Sequence, residues 1–174
     1  MKDLEILKSA IRDVPDFPKK GIIFKDITPV LKDGKLFSLA VENMTEPFRK
    51  QKIDSVVAIE ARGFIFGAAI ASVLNCGMVP VRKQDKLPYK THSVNYALEY
   101  GTDTLEIHID AVNKGENVLV VDDLLATGGT AQGVCELIEK SGGNIIGISF
   151  LIELAFLNGR KRLGNYPIHC VLQL

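Results

Sequence analysis

The chain has 174 residues, 47% of them hydrophobic, and its 21 basic and 21 acidic side chains leave no net charge. That is the length of one domain with enough apolar content for a core; it excludes a disordered polyelectrolyte and a strongly basic nucleic-acid binder. Cys76, Cys135 and Cys170 form no CxxC pair and suit a reducing compartment better than a disulfide framework.

Leu4, Leu7, Ile11 and Val14 recur at helical spacing between charges, which predicts a helix over residues 4–14 and no signal peptide. Residues 15–34 are irregular and punctuated by Pro and Gly, and 35–50 read as a second helix. The run Ser-Val-Val-Ala-Ile at 55–59 is short, apolar and bounded by charge, hence a buried strand. Residues 64–74 follow as a helix with Ala68, Ala69 and Ala71 for close packing, and 78–82 as another strand. The longest uncharged apolar stretch, 63–78, contains Ser72 and Asn75 and falls short of a membrane span, so a soluble, cytoplasmic protein is expected.

Residues 82–89 are basic and the stretch to Tyr96 is polar, a loop leading into a hairpin whose arms, 97–100 and 105–110, flank 101–104. Residues 118–121 read as a buried strand, 130–140 as a helix and 145–152 as a strand, and a final apolar strand carries His169. With no repeat or linker, residues 1–174 form a single domain in this reading. Buried strands alternating with helices predict an α/β fold, a parallel sheet with helices on both faces and ligands at the carboxyl ends of its strands.

At one such end stand Asp122 and Asp123, then Leu-Leu-Ala126-Thr127-Gly128-Gly129-Thr130 and a helix. Unpaired N–H groups at a helix start suit a phosphate; the glycines let the backbone wrap around it, and the threonines add hydroxyl donors. No Lys-Ser/Thr follows the glycines, so this is not a P-loop, and no GxGxxG occurs. The two carboxylates can accept from vicinal hydroxyls or meet magnesium, directly or through its waters. An ordinary helix cap with solvated acids is the competing reading, and the length of the motif outweighs it. The isolated His92, His108 and His169 give no zinc spacing, and no GxSxG marks a nucleophile.

Val-Val-Asp-Asp-Leu-Leu-Ala-Thr-Gly-Gly-Thr resembles the phosphoribosyl-pyrophosphate (PRPP) motif of the type I phosphoribosyltransferases, nearest to those acting on adenine. The resemblance covers nearly the whole chain. It implies a type I phosphoribosyltransferase-like fold: a twisted parallel sheet flanked by helices, a hood from about 15–30 and 153–160, and a mobile hairpin loop. The implied reaction takes adenine and PRPP to AMP and pyrophosphate with magnesium, held at Asp122 and Asp123 through water. No nucleic-acid or membrane partner is expected.

In that reading the backbone from Ala126 to Thr130 anchors the 5′-phosphate, and Asp122 and Asp123 hold the ribose hydroxyls. Ala61, Arg62, Arg82, Lys83 and Lys86 bind pyrophosphate, and Arg62 and Glu99 are the catalytic residues. Phe24 and Leu154 cover the two faces of adenine, and the Ile23 and Lys25 backbone reads its amino edge. Ala126 stands where relatives acting on 6-oxopurines carry an aspartate, which leaves Glu99 to manage the N7 proton. Asp85 stands where a glycine is usual, and Lys25 where arginine is commoner. The family's usual homodimer would bring Arg82 to the partner's pyrophosphate site. As bare residues, Phe24 and Leu154 read more readily as core and Glu99 as a hairpin carboxylate; a surface arginine is the weaker reading of Arg62, and a solvated loop an equal reading of the 82–89 run. A phosphoribosyltransferase for another purine base and a non-catalytic PRPP-binding regulator are the alternatives.

Overall fold

The computed structural model describes residues 2–97 and 102–174. Two compact units divide the chain, Met1–Asn43 and Met44–Leu174.

In the first unit, helix α1 (Lys2–Ser9) is followed by strand β1 (Arg12–Pro15), which pairs antiparallel with β2 (Ile23–Asp26). The helix expected over 4–14 therefore stops at Ser9. Pro15 disfavours helical backbone at Val14, and Val14 instead lies opposite Phe24 in the ladder, with Asp13 opposite Lys25. Lys25 Nζ meets Asp13 at 2.6 Å, and the Phe17 and Phe24 rings pack edge to face with centroids 5.1 Å apart. Just before α2 (Thr28–Lys32), Asp26 accepts from the Thr28 N–H at 2.9 Å, and Asp33 accepts from Lys35 N–H at 2.8 Å at the start of α3 (Gly34–Thr45). The second expected helix, 35–50, ends at Thr45, where Pro47 turns the chain into a 3-10 turn at Glu46–Phe48.

The second unit is built on a seven-stranded sheet. Its strands are β3 (Ser55–Ile59), β4 (Gly77–Lys83), β5 (Thr91–Ala97), β6 (Thr102–His108), β7 (Asn117–Leu125), β8 (Asn144–Glu153) and β9 (Ile168–Gln173), in the order β5-β6-β4-β3-β7-β8-β9. β4, β3, β7, β8 and β9 are parallel, and the β5–β6 hairpin adds antiparallel at the β4 edge. The polar stretch read as loop up to Tyr96 is thus a strand from Thr91, so His92 sits in a ladder opposite Ile107. Val94 and Tyr96 alternate with exposed Ser93 and Asn95, a period-two pattern that the polar composition hides.

Helix α4 (Gly63–Leu74) connects β3 to β4, and α5 (Gly129–Ser141) connects β7 to β8. The two crossovers leave neighbouring strands in opposite directions, and right-handed connections then put the helices on opposite faces. The side chains agree. Val57 and Ile59 join Val134, Leu137 and Ile138 of α5 in the main core. Ala58 faces α4 so closely that a Cβ at Gly67 would stand 2.4 Å from the Ala58 Cβ. The three thiols form no disulfide, and burial pushes Cys135 and Cys170 to about 12 and raises Cys76.

Candidate active site

Between β3 and β7 the chain leaves the sheet toward opposite faces, which opens a crevice at their carboxyl ends, the usual ligand position in such sheets. One wall is Glu60-Ala61-Arg62-Gly63, where the Glu60–Ala61 peptide is cis. The other is the Asp122–Thr130 segment. The walls stand close: a Cβ at Gly63 would lie 2.8 Å from Asp122 Oδ1 and 3.0 Å from the Val121 carbonyl oxygen. Glycine at 63 is what lets the two strand ends meet.

The acids do not follow the strand, as the sequence suggested; they lie inside it. Pairing of β7 with β3 ends at Ala58 opposite Val121, whereas pairing with β8 continues through Asp122–Phe150, Leu124–Ile152 and Leu125–Glu153. One-sided support from the long apolar β8 extends the strand past the point where charge seemed to end it. Asp123 is buried and Asp122 half-buried. Arg62 Nη2 stands 2.9 Å from Asp123 Oδ2, an ion pair, yet no aligned donor among the described residues hydrogen-bonds that oxygen. The Asp122 carboxyl is held well above its ordinary range, first by loss of solvent and then by the charge of Asp123. Asp123 is raised by the same desolvation, with Arg62 opposing it. Such a pair favours a ligand that brings hydroxyl donors or positive charge.

Past the acids, Ala126, Thr127 and Gly128 form a turn in which Gly128 takes a left-handed φ of 82°. α5 starts at Gly129 with no side-chain cap, so its first-turn amides have no capping partner from Gly128. A hollow of about 80 Å³ lies over this turn, lined by Asp122, Thr127 to Thr130 and Phe150. That is room for several waters or a phosphate-sized group. Beside it a cleft of about 360 Å³ runs between Arg62, Lys83, Tyr96, Asp123 and Thr130. The structure thus brings Ala61, Arg62, Lys83, Asp122, Asp123, Ala126 and Thr130 to one cleft.

Glu60, to which the sequence reading gave no role, organises the basic segment. Its carboxylate accepts from Arg82 Nη2 at 2.7 Å and from the Lys83 N–H at 2.9 Å, and Arg82 Nη1 also donates to the Lys86 carbonyl. Against the burial that would raise it, these donors and the positive charge of Arg82 hold the Glu60 carboxyl below its ordinary value. Lys83 Nζ pairs with Asp103 at 3.0 Å, and Lys86 is exposed. Asp85 adopts a left-handed φ of 63°, the conformation a glycine would take, which aspartate tolerates better than most residues. The sequence signal for Glu60 was its place at the end of a buried strand; Asp103 gave none.

Ile23, Phe24 and Lys25 form β2, with Ile23 exposed and the other two half-buried. Leu154 follows β8, and its N–H donates to the Leu125 carbonyl at 2.9 Å, which ties it to the strand before the phosphate turn. Glu99 lies outside the described residues.

Residues 31–169 match the family model described as a phosphoribosyl transferase domain. The adenine phosphoribosyltransferase of Brachyspira hyodysenteriae is 54% identical over 96% of this chain and 98% of its own length. The crystal structure of adenine phosphoribosyltransferase from Rhodothermus marinus superposes with a TM-score of 0.96 at 57% identity, covering 99% of both chains. That from Saccharomyces cerevisiae, solved with an imino-altritol bisphosphate and adenine, gives 0.93 at 40% identity over 98% of this chain and 99% of its own.

Proposed function

The chain belongs to the phosphoribosyltransferase family, and we propose that the cleft at the ends of β3 and β7 is where it transfers phosphoribose to a purine. Its reaction joins adenine to PRPP and releases pyrophosphate, forming AMP. The observation that carries the site assignment is the Asp122–Asp123 pair, two desolvated carboxylates set between a guanidinium and an uncapped helix start.

In this assignment the first-turn amides of α5 and the Thr127 and Thr130 hydroxyls hold the 5′-phosphate. Asp122 and Asp123 accept from the ribose hydroxyls. Arg62, already 2.9 Å from Asp123, fixes that carboxylate and faces the leaving group together with the Ala61 backbone. Arg82, Lys83 and Lys86 add positive charge on the pyrophosphate side, so that charge on the departing oxygens is met by fixed donors. Lys83 must leave Asp103 to do so. The Ile23–Lys25 segment and Leu154 recognise adenine, and Glu99 handles the N7 proton.

Magnesium fits this donor set. Asp122 and Asp123 supply hard oxygens and excess negative charge, and no group of three or more acidic, His or Cys ligands exists among the described residues. Such a pair suits an ion that keeps much of its water and takes its remaining ligands from substrate phosphates. Bound there, magnesium would neutralise pyrophosphate charge.

We further propose that two chains pair as a homodimer, as the family resemblance implies. No helix among the described residues is long and apolar enough to cross a membrane, and the three free thiols fit a cytoplasmic location. A PRPP assay with and without magnesium over adenine, hypoxanthine, guanine, xanthine and orotate tests the assignment. Adenine should dominate, because a site that accepts from a 6-amino group leaves polar groups unpaired before a 6-oxo group. Comparable kcat/KM for hypoxanthine would overturn the base assignment.

A further inference from the structure

The phosphate turn is backed by a second stretch of main chain that touches no substrate in the assignment above. A Cβ at Gly128 would stand 2.4 Å from the Gly159 carbonyl oxygen, and one at Gly159 would stand 2.2 Å from the Ala126 carbonyl oxygen and 3.1 Å from the Gly128 nitrogen. The obstructing atoms are backbone, which cannot rotate away as a side-chain end can. Gly159 is not among the residues with positive φ, so its own dihedrals do not demand glycine. What demands glycine is space.

Gly159 is itself held in place. It opens the 3-10 segment Gly159–Leu163, whose Leu163 is buried. Arg160 directs Nε to both carboxylate oxygens of Glu153, at 2.8 and 2.9 Å, and Nη1 to the Ile168 carbonyl at 3.2 Å. Gln173 Nε2 adds a 3.1 Å bond to the same carboxylate. Glu153 is only 4% exposed and ends β8, so this network ties the segment to the last two strands of the sheet.

We infer that Gly159 is a positioning residue for 5′-phosphate recognition. The main chain at Gly159, anchored through Arg160 and Glu153, sets the curvature of the Ala126–Gly128 turn and with it the aim of the first amides of α5. This rests on reading that turn as the phosphate site. Gly159→Ala inserts an atom about 1 Å inside ordinary contact distance of the Ala126 carbonyl, and displacement on that scale costs up to about a hundredfold in a preorganised site.

The test is calorimetric titration with ribose 5-phosphate, which carries the phosphate without base or pyrophosphate, beside steady-state kinetics. For Gly159→Ala, ribose 5-phosphate affinity should fall and the KM for PRPP should rise, each by at least about tenfold. The KM for adenine at saturating PRPP and the circular dichroism spectrum should stay those of the parent. Failure of the parent to bind ribose 5-phosphate would overturn the phosphate assignment itself. A parent that binds it and an alanine variant that binds equally well would overturn the positioning role alone. Should Gly159→Ala not yield folded protein, Arg160→Lys decides: it keeps the charge and loses the fork. It should weaken ribose 5-phosphate roughly threefold to tenfold, and parent-like binding would again overturn the inference.

Discussion

Replacing Asp122 with asparagine preserves the side-chain shape and the oxygen that accepts from the Asp123 N–H at 2.8 Å, while removing one of two adjacent charges. Stability and function should then move in opposite directions. The folded carboxyl keeps its proton to a higher pH than the ordinary value of 3.8, because it is desolvated and faces Asp123. The native state therefore binds more protons than the unfolded chain between 3.8 and the raised value, and stability falls as pH rises through that interval. Above the raised value the parent carries the whole cost, about 1.4 kcal/mol for each unit of elevation, and Asp122→Asn escapes it. Each kilocalorie recovered is worth about 2–4 °C in Tm for a chain of this size. The advantage should shrink toward pH 3.8, as the unfolded chain also takes up the proton. Losing a charged acceptor for a ribose hydroxyl costs roughly 1.5–3 kcal/mol, so kcat/KM for PRPP should drop roughly tenfold to a hundredfold. Scanning fluorimetry from pH 4 to 9 and initial-rate kinetics measure the two arms. A Tm at pH ~7.5 that falls, as it would on losing a stabilising ion pair, or PRPP turnover close to the parent's, would refute the reasoning.

Three further substitutions probe other parts of the assignment. Phe24→Ala should raise the KM for adenine by the equivalent of about 1–3 kcal/mol of lost stacking; a collapse of thermal stability with adenine affinity intact would make Phe24 a packing residue. Glu99→Gln should lower the chemical step roughly 10²–10⁴-fold in single-turnover experiments while leaving PRPP binding alone, and a rate near the parent's would restrict Glu99 to shaping the hairpin. Asp103→Asn releases Lys83 from a pair in which Lys83 is exposed and Asp103 half-buried, worth about 1 kcal/mol, so the KM for PRPP should fall by up to about fivefold with little change in Tm. An increase in that KM would show that Asp103 positions Lys83 for pyrophosphate instead of competing with it.

The parallel sheet, both crossover helices and the phosphate turn were legible because their signals are local: β3 is buried throughout and apolar from Val56 on, and α5 begins at the second of two consecutive glycines. Two kinds of information were not local. The extension of β7 through Asp122 and Asp123 depends on β8 supporting one side only, which no single segment displays. The same holds for β5, whose apolar side is supplied by only Val94 and Tyr96 and is recognisable once α5 covers it. Around the site, motif residues such as Arg62 and Asp123 could be named from their positions. Their supports could not, since Glu60 with Arg82, Lys83 with Asp103, and Gly159 with Ala126 are brought together only by the folded chain.

The thiols held protonated by burial offer an experimental opening. Maleimides and iodoacetamide react with thiolate, and Cys135 and Cys170, pushed to about 12, present almost none at neutral pH, with Cys76 shifted the same way. A cysteine introduced at Gln84, exposed on the turn after β4, would therefore be labelled ahead of all three native ones without removing any of them. A fluorophore placed there would report in real time whether the Arg82–Lys86 segment changes its surroundings when PRPP is added, in an otherwise unaltered enzyme.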